Sequence, residues 1–263
     1  MGSTCAICQF APQNMNTAEQ HPWSSYQSEI GAIALAGSAG GVQAFQTVLN
    51  GLPCNFPVPV LICQHRGKRE SEQDVLVKIL TRSCAFPVMQ AYEDAPLHGG
   101  IAYVAPPDRH LRVLSGRFAL SDSPAVDYYR PSVDVLFESL AAEFGSRLIV
   151  VVLSGSRGDG AVGVVKVKAC GGRIIVQEPT TALHPGMPTS AILSGCADFI
   201  LPLNSIAAAL TAITMVPGST ELFTSAIPPW SSLTQHGCSL RCAERKLPHI
   251  SVVAIRTFAV RLI

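Results

Sequence analysis

Two patterns of apolar and polar positions alternate along the chain. One is a short unbroken apolar run, and the other places apolar residues three and four apart. Ile33-Ala34-Leu35-Ala36, ending at Gly37, is of the first kind and predicts a buried parallel strand at about 30–36. Val42, Phe45, Val48 and Leu49 then recur at helical spacing, with Gly51 placed to end that helix. Val60-Leu61-Ile62-Cys63-Gln64 is a second apolar run, and it ends at His65. Strand, helix and strand at this spacing make a parallel βαβ unit. A second such unit runs from Arg147–Leu153, through a helix at about Ala161–Cys170, to Arg173–Gln177.

Between and after these units the signals are shorter. A helix is predicted over Gln73–Thr81, and strands over Val88–Ala91 and Ile101–Ala105. His110–Leu114 and Arg117–Leu120 alternate apolar and polar around Ser115-Gly116, a β-hairpin signature. Arg130-Pro131-Ser132 opens a helix with Ser132 as its N-cap and Val133, Leu136, Phe137 and Leu140 on one face. A helix at about 188–194, a strand Phe199–Leu201 and a helix from Asn204 to about Met215 complete the series. Residues 1–29 lack periodicity and read as a flexible extension, and the pattern breaks down again at 216–263, a tail of unassigned structure. The folded domain is therefore expected at 30–215.

Composition narrows the class. At 263 residues, 48% hydrophobic and only 14% charged, the chain supports a substantial core, which excludes disorder over most of its length. A net charge of +1, without blocks of like charge, gives no electrostatic footprint for nucleic acid. Nine cysteines is an odd count for a disulfide framework. Cys54, Cys63, Cys84, Cys170 and Cys196 fall in or beside apolar runs, where cysteine packs as a small hydrophobe, so a reducing compartment is expected. Cys5 and Cys8 with Cys238 and Cys242 would make a four-thiolate zinc set, but both pairs lie in terminal segments without structural signal. No H-E-x-x-H or comparable spacing is present, and neither metal nor cofactor is expected. The N-terminus lacks the marks of a signal peptide, and no apolar stretch approaches membrane-spanning length. A soluble, cytoplasmic protein without direct membrane insertion is expected.

The turn after the first strand, Gly37-Ser38-Ala39-Gly40-Gly41, admits three readings. Its glycines permit close backbone approach, and the N–H groups of the following turn point at whatever lies above them. It can cradle a phosphate, present Ser38 as a nucleophile, or be a plain structural turn. A dinucleotide fingerprint fits poorly, because G-x-G-x-x-G is absent and no acid follows about 20 residues on. A G-x-S-x-G elbow would need glycine at Ala36.

The rest of the chain bears on that choice. Both strands of a parallel unit point the same way, so Ser38, His65 and Asp159, each in a strand-end turn, share the C-terminal edge of the sheet. A serine hydroxyl needs a base to take its proton, and the base needs a carboxylate to hold its tautomer. The chain order Ser, His, Asp differs from the Ser, Asp, His of α/β-hydrolases. Singly, each residue has a plainer explanation: a turn-shaping serine, a strand-ending histidine, and an aspartate capping the helix that starts near Gly160. Their coincidence at one edge favours chemistry. His98 and His110, which flank the Tyr103 strand and either line the site or lie at the surface, the more common case, and His184, in a Pro-rich loop near Gly186, are weaker candidates.

An ordered series of short motifs adds to this. Gly37-Ser38-Ala39-Gly40-Gly41, Gln64-His65, Tyr103-Val104-Ala105-Pro106-Pro107, Leu153-Ser154-Gly155 with Asp159-Gly160-Ala161, and Gly186-Met187-Pro188 followed by Ala191-Ile192 occur in that order. Over roughly residues 30–213 the chain thereby resembles the catalytic domain of CheB-type chemotaxis methylesterases. The resemblance implies an α/β fold: a doubly wound, mainly parallel sheet with helices on both faces and a β-hairpin insertion. It implies hydrolysis of glutamyl methyl esters on the cytoplasmic domain of methyl-accepting chemoreceptors and, in some members, deamidation of receptor glutamines. It implies Ser38 as nucleophile, His65 as general base and Asp159 as its orienting carboxylate, with backbone N–H groups of the turn at Ala39 and Gly40 and of Ser156 facing the oxyanion. Family members commonly carry Thr at position 39, Met at 66, Met at 156 and Gly at 157, where this chain has Ala39, Arg66, Ser156 and Arg157. Those departures bear on substrate preference and rate more than on the triad. The receiver domain that usually precedes the family's catalytic domain is not expected within 29 residues. The competing reading is a non-catalytic receptor-interaction module of the same fold.

Overall fold

The structure, a computed structural model, describes residues 28–66, 74–156 and 158–215. In chain order the elements are β1 (Ala32–Gly37), α1 (Gly41–Asn50), β2 (Val60–Gln64), α2 (Val75–Thr81), β3 (Val88–Gln90), β4 (Ala102–Val104), a hairpin of β5 (His110–Leu114) and β6 (Arg117–Ser121), α3 (Val133–Phe144), β7 (Leu148–Val152), α4 (Ala161–Ala169), β8 (Arg173–Gln177), α5 (Gly186–Leu193), β9 (Phe199–Leu201) and α6 (Leu203–Met215). The unbroken apolar runs become the middle of a seven-stranded sheet in the order β3-β4-β2-β1-β7-β8-β9, parallel throughout. β1 and β7 are buried along their whole length, which is why neither tolerates a polar alternation.

Side chains alternate across each strand, so β1 sends Ile33 and Leu35 to one face and Ala32, Ala34 and Ala36 to the other. The first face is covered by α1, α2 and α6, through residues such as Phe45, Leu49, Leu80 and Leu210. The second is covered by α3, α4, α5 and the hairpin, through Leu136, Phe137, Val164, Met187 and Phe118. The three alanines leave room for the large side chains of α3. The fold is thus the doubly wound α/β sheet with a hairpin insertion that the sequence leads one to expect.

The chain enters the sheet at its centre. It adds β2, β4 and β3 on one side of β1, then crosses back to place β7, β8 and β9 on the other. The loops leaving β1 and β7 therefore diverge, and open α/β sheets build their sites at such a switch point. Gly37 lies beside Gln64, and Ala36 beside Val152. Residues 38, 65 and 153 consequently emerge side by side at one edge.

Element ends differ from expectation by a residue or two. The Asp74 carboxylate accepts the Leu76 N–H (2.9 Å) and so sets the start of α2. Cys63 is buried as expected, but Cys54, in the loop after α1, and Cys170, at the end of α4, are exposed rather than packed. Most of the extension expected at 1–29, the tail at 216–263, Cys5, Cys8, Cys238, Cys242, Gln73 and Arg157 lie outside the described residues.

Candidate active site

β1 passes into α1 through Ser38, Ala39 and Gly40, and the turn is fastened on three sides. Gly40 enters the helix at φ 74°, a left-handed conformation that a side chain would strain. The Ser38 carbonyl accepts the Gly41 N–H (2.9 Å) and the Gln64 Nε2 amide (2.8 Å). The Ser38 N–H donates to the Ser154 carbonyl (2.9 Å), tying the turn to the loop after β7. The buried Ser154 hydroxyl donates to the Ala39 carbonyl (2.8 Å) and accepts the His184 N–H (3.0 Å).

The loop after β7 is held in turn by residues 184–187. The Gly155 N–H donates to the His184 carbonyl (2.9 Å), and the Met187 N–H donates to the Gly155 carbonyl (2.8 Å). The approach is close enough that a Cβ on Gly155 would stand 2.1 Å from Met187 Sδ, and one on Gly186 would stand 2.3 Å from the Ser156 carbonyl oxygen. That contact leaves no room for a side chain at Gly155 or Gly186. Ser156 itself is exposed at the rim. Among the described residues the backbone N–H groups of Ala39, Gly40 and Ser156 meet no acceptor.

His65 follows β2, its N–H bonded to the Gly37 carbonyl (3.3 Å). Its Nε2 lies 2.5 Å from Asp159 Oδ2, with the two side chains only 5% and 0% exposed. An ionised carboxylate can only accept, so Nε2 carries the ring proton. Nδ1, buried and without a partner among the described residues, carries the lone pair. The ring face lies on Tyr129, with centroids 3.8 Å apart and planes inclined by 13°. Arg130 holds that segment through Nε and Nη2 bonds to Asp108 (2.9 and 2.7 Å) and Nη1 bonds to the carbonyls of Asp122 and Ser123 (2.9 and 3.1 Å).

Asp159 does not cap the helix that follows it. It accepts the N–H groups of Val133 (2.7 Å) and Asp134 (3.2 Å) and so caps α3 from across the molecule. Ser132 occupies the N-cap position as predicted, but its hydroxyl makes no capping bond and donates instead to Asp159 Oδ1 (3.1 Å). Burial pushes Asp159 up, but the bond from His65 and the N–H groups of Val133 and Asp134 outweigh burial and hold it below the usual aspartate value. It is therefore an anion facing the imidazole.

The remaining candidates separate cleanly. His110 is fully buried rather than at the surface: Nδ1 accepts the Ser132 N–H (3.2 Å), and Nε2 lies 3.1 Å from the Pro124 carbonyl, so it fastens the segment entering α3. His98 is exposed, and His184 engages the site through its backbone. The Arg66 guanidinium is paired with Asp74 and donates to the Ala105 carbonyl (2.5 Å), so its charge is neutralised beside the site. Tyr129, the Ser132 hydroxyl, Asp134 and the anchoring role of Ser154 escape sequence reasoning. For the first three the nearest signal is the Arg130-Pro131-Ser132 segment, which reads only as a helix start, and for Ser154 it is the Leu153-Ser154-Gly155 motif.

Fold and site together define a parallel α/β protein that brings a serine turn and a histidine–aspartate pair to the switch point of its sheet. The CheB methylesterase family model matches residues 33–210, and the chain belongs to that family. It is 40% identical over 177 residues to a Leptospira interrogans protein provisionally named protein-glutamate methylesterase/protein-glutamine glutaminase, covering 67% of this chain and 91% of that one. It is 39% identical over 179 residues to the protein-glutamate methylesterase FrzG of Myxococcus xanthus, covering 68% of this chain and 53% of that one. The solved Thermotoga maritima CheB methylesterase catalytic domain matches with a TM-score of 0.65 at 31% identity, over 69% of this chain and 97% of that chain. Among the described residues no helix is long and apolar enough to cross a membrane, and no group of three or more His, Cys, Asp or Glu side chains is placed to hold a metal ion.

Proposed function

We propose that the chain is a protein-glutamate methylesterase acting on glutamyl methyl esters of the cytoplasmic domain of chemoreceptors. In this reading Ser38 is the nucleophile, His65 the general base and Asp159 the carboxylate that orients it. The observation that carries the reading is His65, tied by its N–H to Gly37 at the start of the serine turn, whose ring Nε2 is held by an anionic aspartate at 2.5 Å while Nδ1 has no partner among the described residues.

His65 Nδ1 takes the Ser38 proton as Oγ adds to the γ-carbonyl carbon of the ester. The oxyanion develops against the N–H groups of Ala39, Gly40 and Ser156, and such donors are worth about 10²–10³ in rate each. A main-chain N–H serves equally whether residue 156 is Ser or the family's Met. The tetrahedral adduct collapses, the C–O bond to the methoxy group breaks, and imidazolium returns its proton so that methanol leaves. Water, deprotonated by His65, then adds to the acyl-enzyme and releases glutamate and Ser38. Forming the same acyl-enzyme from a glutamine side chain breaks the C–N bond and expels ammonia, and its hydrolysis gives the deamidation that the relatives' names carry.

The rim favours a substrate presented on a protein. Tyr128, next to the residue stacked on His65, is 91% exposed, and Leu183, packed beside Gly40, is 69% exposed. Two apolar side chains flanking an open edge suit a receptor helix laid across it. An active-site fluorophosphonate tests the chemistry: mass spectrometry is expected to find the adduct on Ser38, lost in Ser38→Ala and strongly slowed in His65→Ala. A folded chain that takes no label is the result a non-catalytic interaction module gives.

A further inference from the structure

α3 and α4 are capped by each other's acids. Asp159, in the loop leading into α4, accepts the N–H groups of Val133 (2.7 Å) and Asp134 (3.2 Å) at the start of α3. Asp134, in the first turn of α3, accepts the N–H of Gly163 in the first turn of α4 (2.6 Å). The exchange brings the two carboxyl groups side by side, with the Asp134 main chain held to Asp159 Oδ1 (3.2 Å).

Two carboxyl groups in contact resist double ionisation, so one proton belongs to the pair. Asp159 has the stronger claim to the negative charge. It collects four donors, from His65, the Val133 and Asp134 N–H groups and the Ser132 hydroxyl, whereas among the described residues the Asp134 carboxyl has the Gly163 N–H of α4. The proton therefore resides on Asp134. The ionisable groups gathered around the pair are His65 and Cys63 at the end of β2, with Arg66 beyond them, already neutralised by Asp74.

We propose that Asp134 is a positioning residue for the triad: protonated, it donates to Asp159 and holds that carboxylate on His65, and ionised, it adds a second negative charge behind the imidazolium. The inference rests on the triad reading given above. Burial, and after it the neighbouring charge of Asp159, push Asp134 up to about 7, so the change of state falls at neutral pH. Acylation of Ser38 builds positive charge on His65. Loss of the Asp134 proton to solvent therefore adds a rising step of about tenfold to the acylation rate near neutrality.

The test is the rate of fluorophosphonate labelling of Ser38 across neutral pH in the wild-type chain and in Asp134→Asn. Asparagine keeps an oxygen for the Gly163 N–H and a donor for Asp159, but cannot ionise. The wild type is expected to show the added step and the folded variant to lack it. Superimposable profiles overturn the inference while leaving the triad intact, and a wild type that takes no label overturns both. Carbon-13 NMR of labelled aspartate carboxyls gives a readout independent of activity. One carboxyl titrating near neutral pH, absent from Asp134→Asn, is expected. If every carboxyl titrates in the acid range, the inference fails whatever the labelling shows.

Discussion

Replacing Asp159 by asparagine preserves shape and removes one charge, and the structure indicates how the amide must sit. Besides the Asp134 carboxyl, four partners present protons to the carboxylate: His65 Nε2 at 2.5 Å and the Val133 N–H at 2.7 Å on one oxygen, the Ser132 hydroxyl at 3.1 Å and the Asp134 N–H at 3.2 Å on the other. An amide NH₂ turned toward His65 would also confront the Val133 N–H at the shorter distance. Turned the other way it meets a hydroxyl that can rotate to accept, and leaves only the longer Asp134 bond unmade. The second orientation wins, so the oxygen stays on His65 and the tautomer survives. What is lost is the attraction between carboxylate and imidazolium. For unit charges about 4 Å apart at an effective dielectric of about 20 this is about 4 kcal/mol, and part of it is retained by the neutral bond. Turnover is therefore expected to fall about 10²–10³-fold, short of the roughly 10⁴ that a reversed tautomer brings. The assay is the rate constant for methanol release by Asp159→Asn, with thermal melting to confirm the fold. A folded variant within tenfold of wild type would refute the reasoning.

Other consequences are equally direct. Gly186→Ala puts a methyl group 2.3 Å from a backbone oxygen that cannot swing aside. Thermal melting should show a loss of about 1–3 kcal/mol, and labelling of Ser38 should slow as the Ser156 loop shifts. Tyr128→Ala and Leu183→Asp should raise KM for receptor membranes while leaving hydrolysis of a small activated ester unchanged, so equal effects on both substrates would remove the rim from receptor docking. Stability should respond to pH with opposite signs at the two acids. Asp159 is held below its ordinary value, so its contribution is present at neutral pH and is lost as pH falls below about 4 and through its lowered folded-state value. Asp134 is raised to about 7, so its contribution is full below about pH 4 and is lost as pH rises through about 7. Melting curves of Asp134→Asn should accordingly fall less than wild type between mildly acid and mildly alkaline pH.

The sheet is legible in the chain because β1, β2, β7 and β8 are buried on both faces, and a strand so placed has no polar alternation to blur its signal. That Ser38, His65 and Asp159 share one edge is legible for a related reason: parallel strands send every strand-end turn to one edge. What the chain conceals is who holds whom at that edge. Asp159 reads as the cap of its own helix because capping signals are local, yet its N–H partners lie 26 and 25 residues away. The exchange of caps between α3 and α4 is a tertiary fact with no pattern in either helix alone. Tyr129 is hidden differently. Its turn carries Asp127 at φ 48° and Tyr128 at φ 72°, without the glycine or asparagine that would announce it. His110, expected outside, is drawn in by backbone groups on either side that it satisfies, Ser132 N–H and Pro124 C=O.

The central claim is that Ser38 hydrolyses receptor glutamyl methyl esters. Its most direct test is methanol release from membranes carrying methylated chemoreceptors, comparing the wild-type chain with Ser38→Ala. The account predicts release by the wild type and none above background from the folded variant. Equal release by both, or none from a folded wild type, would contradict it.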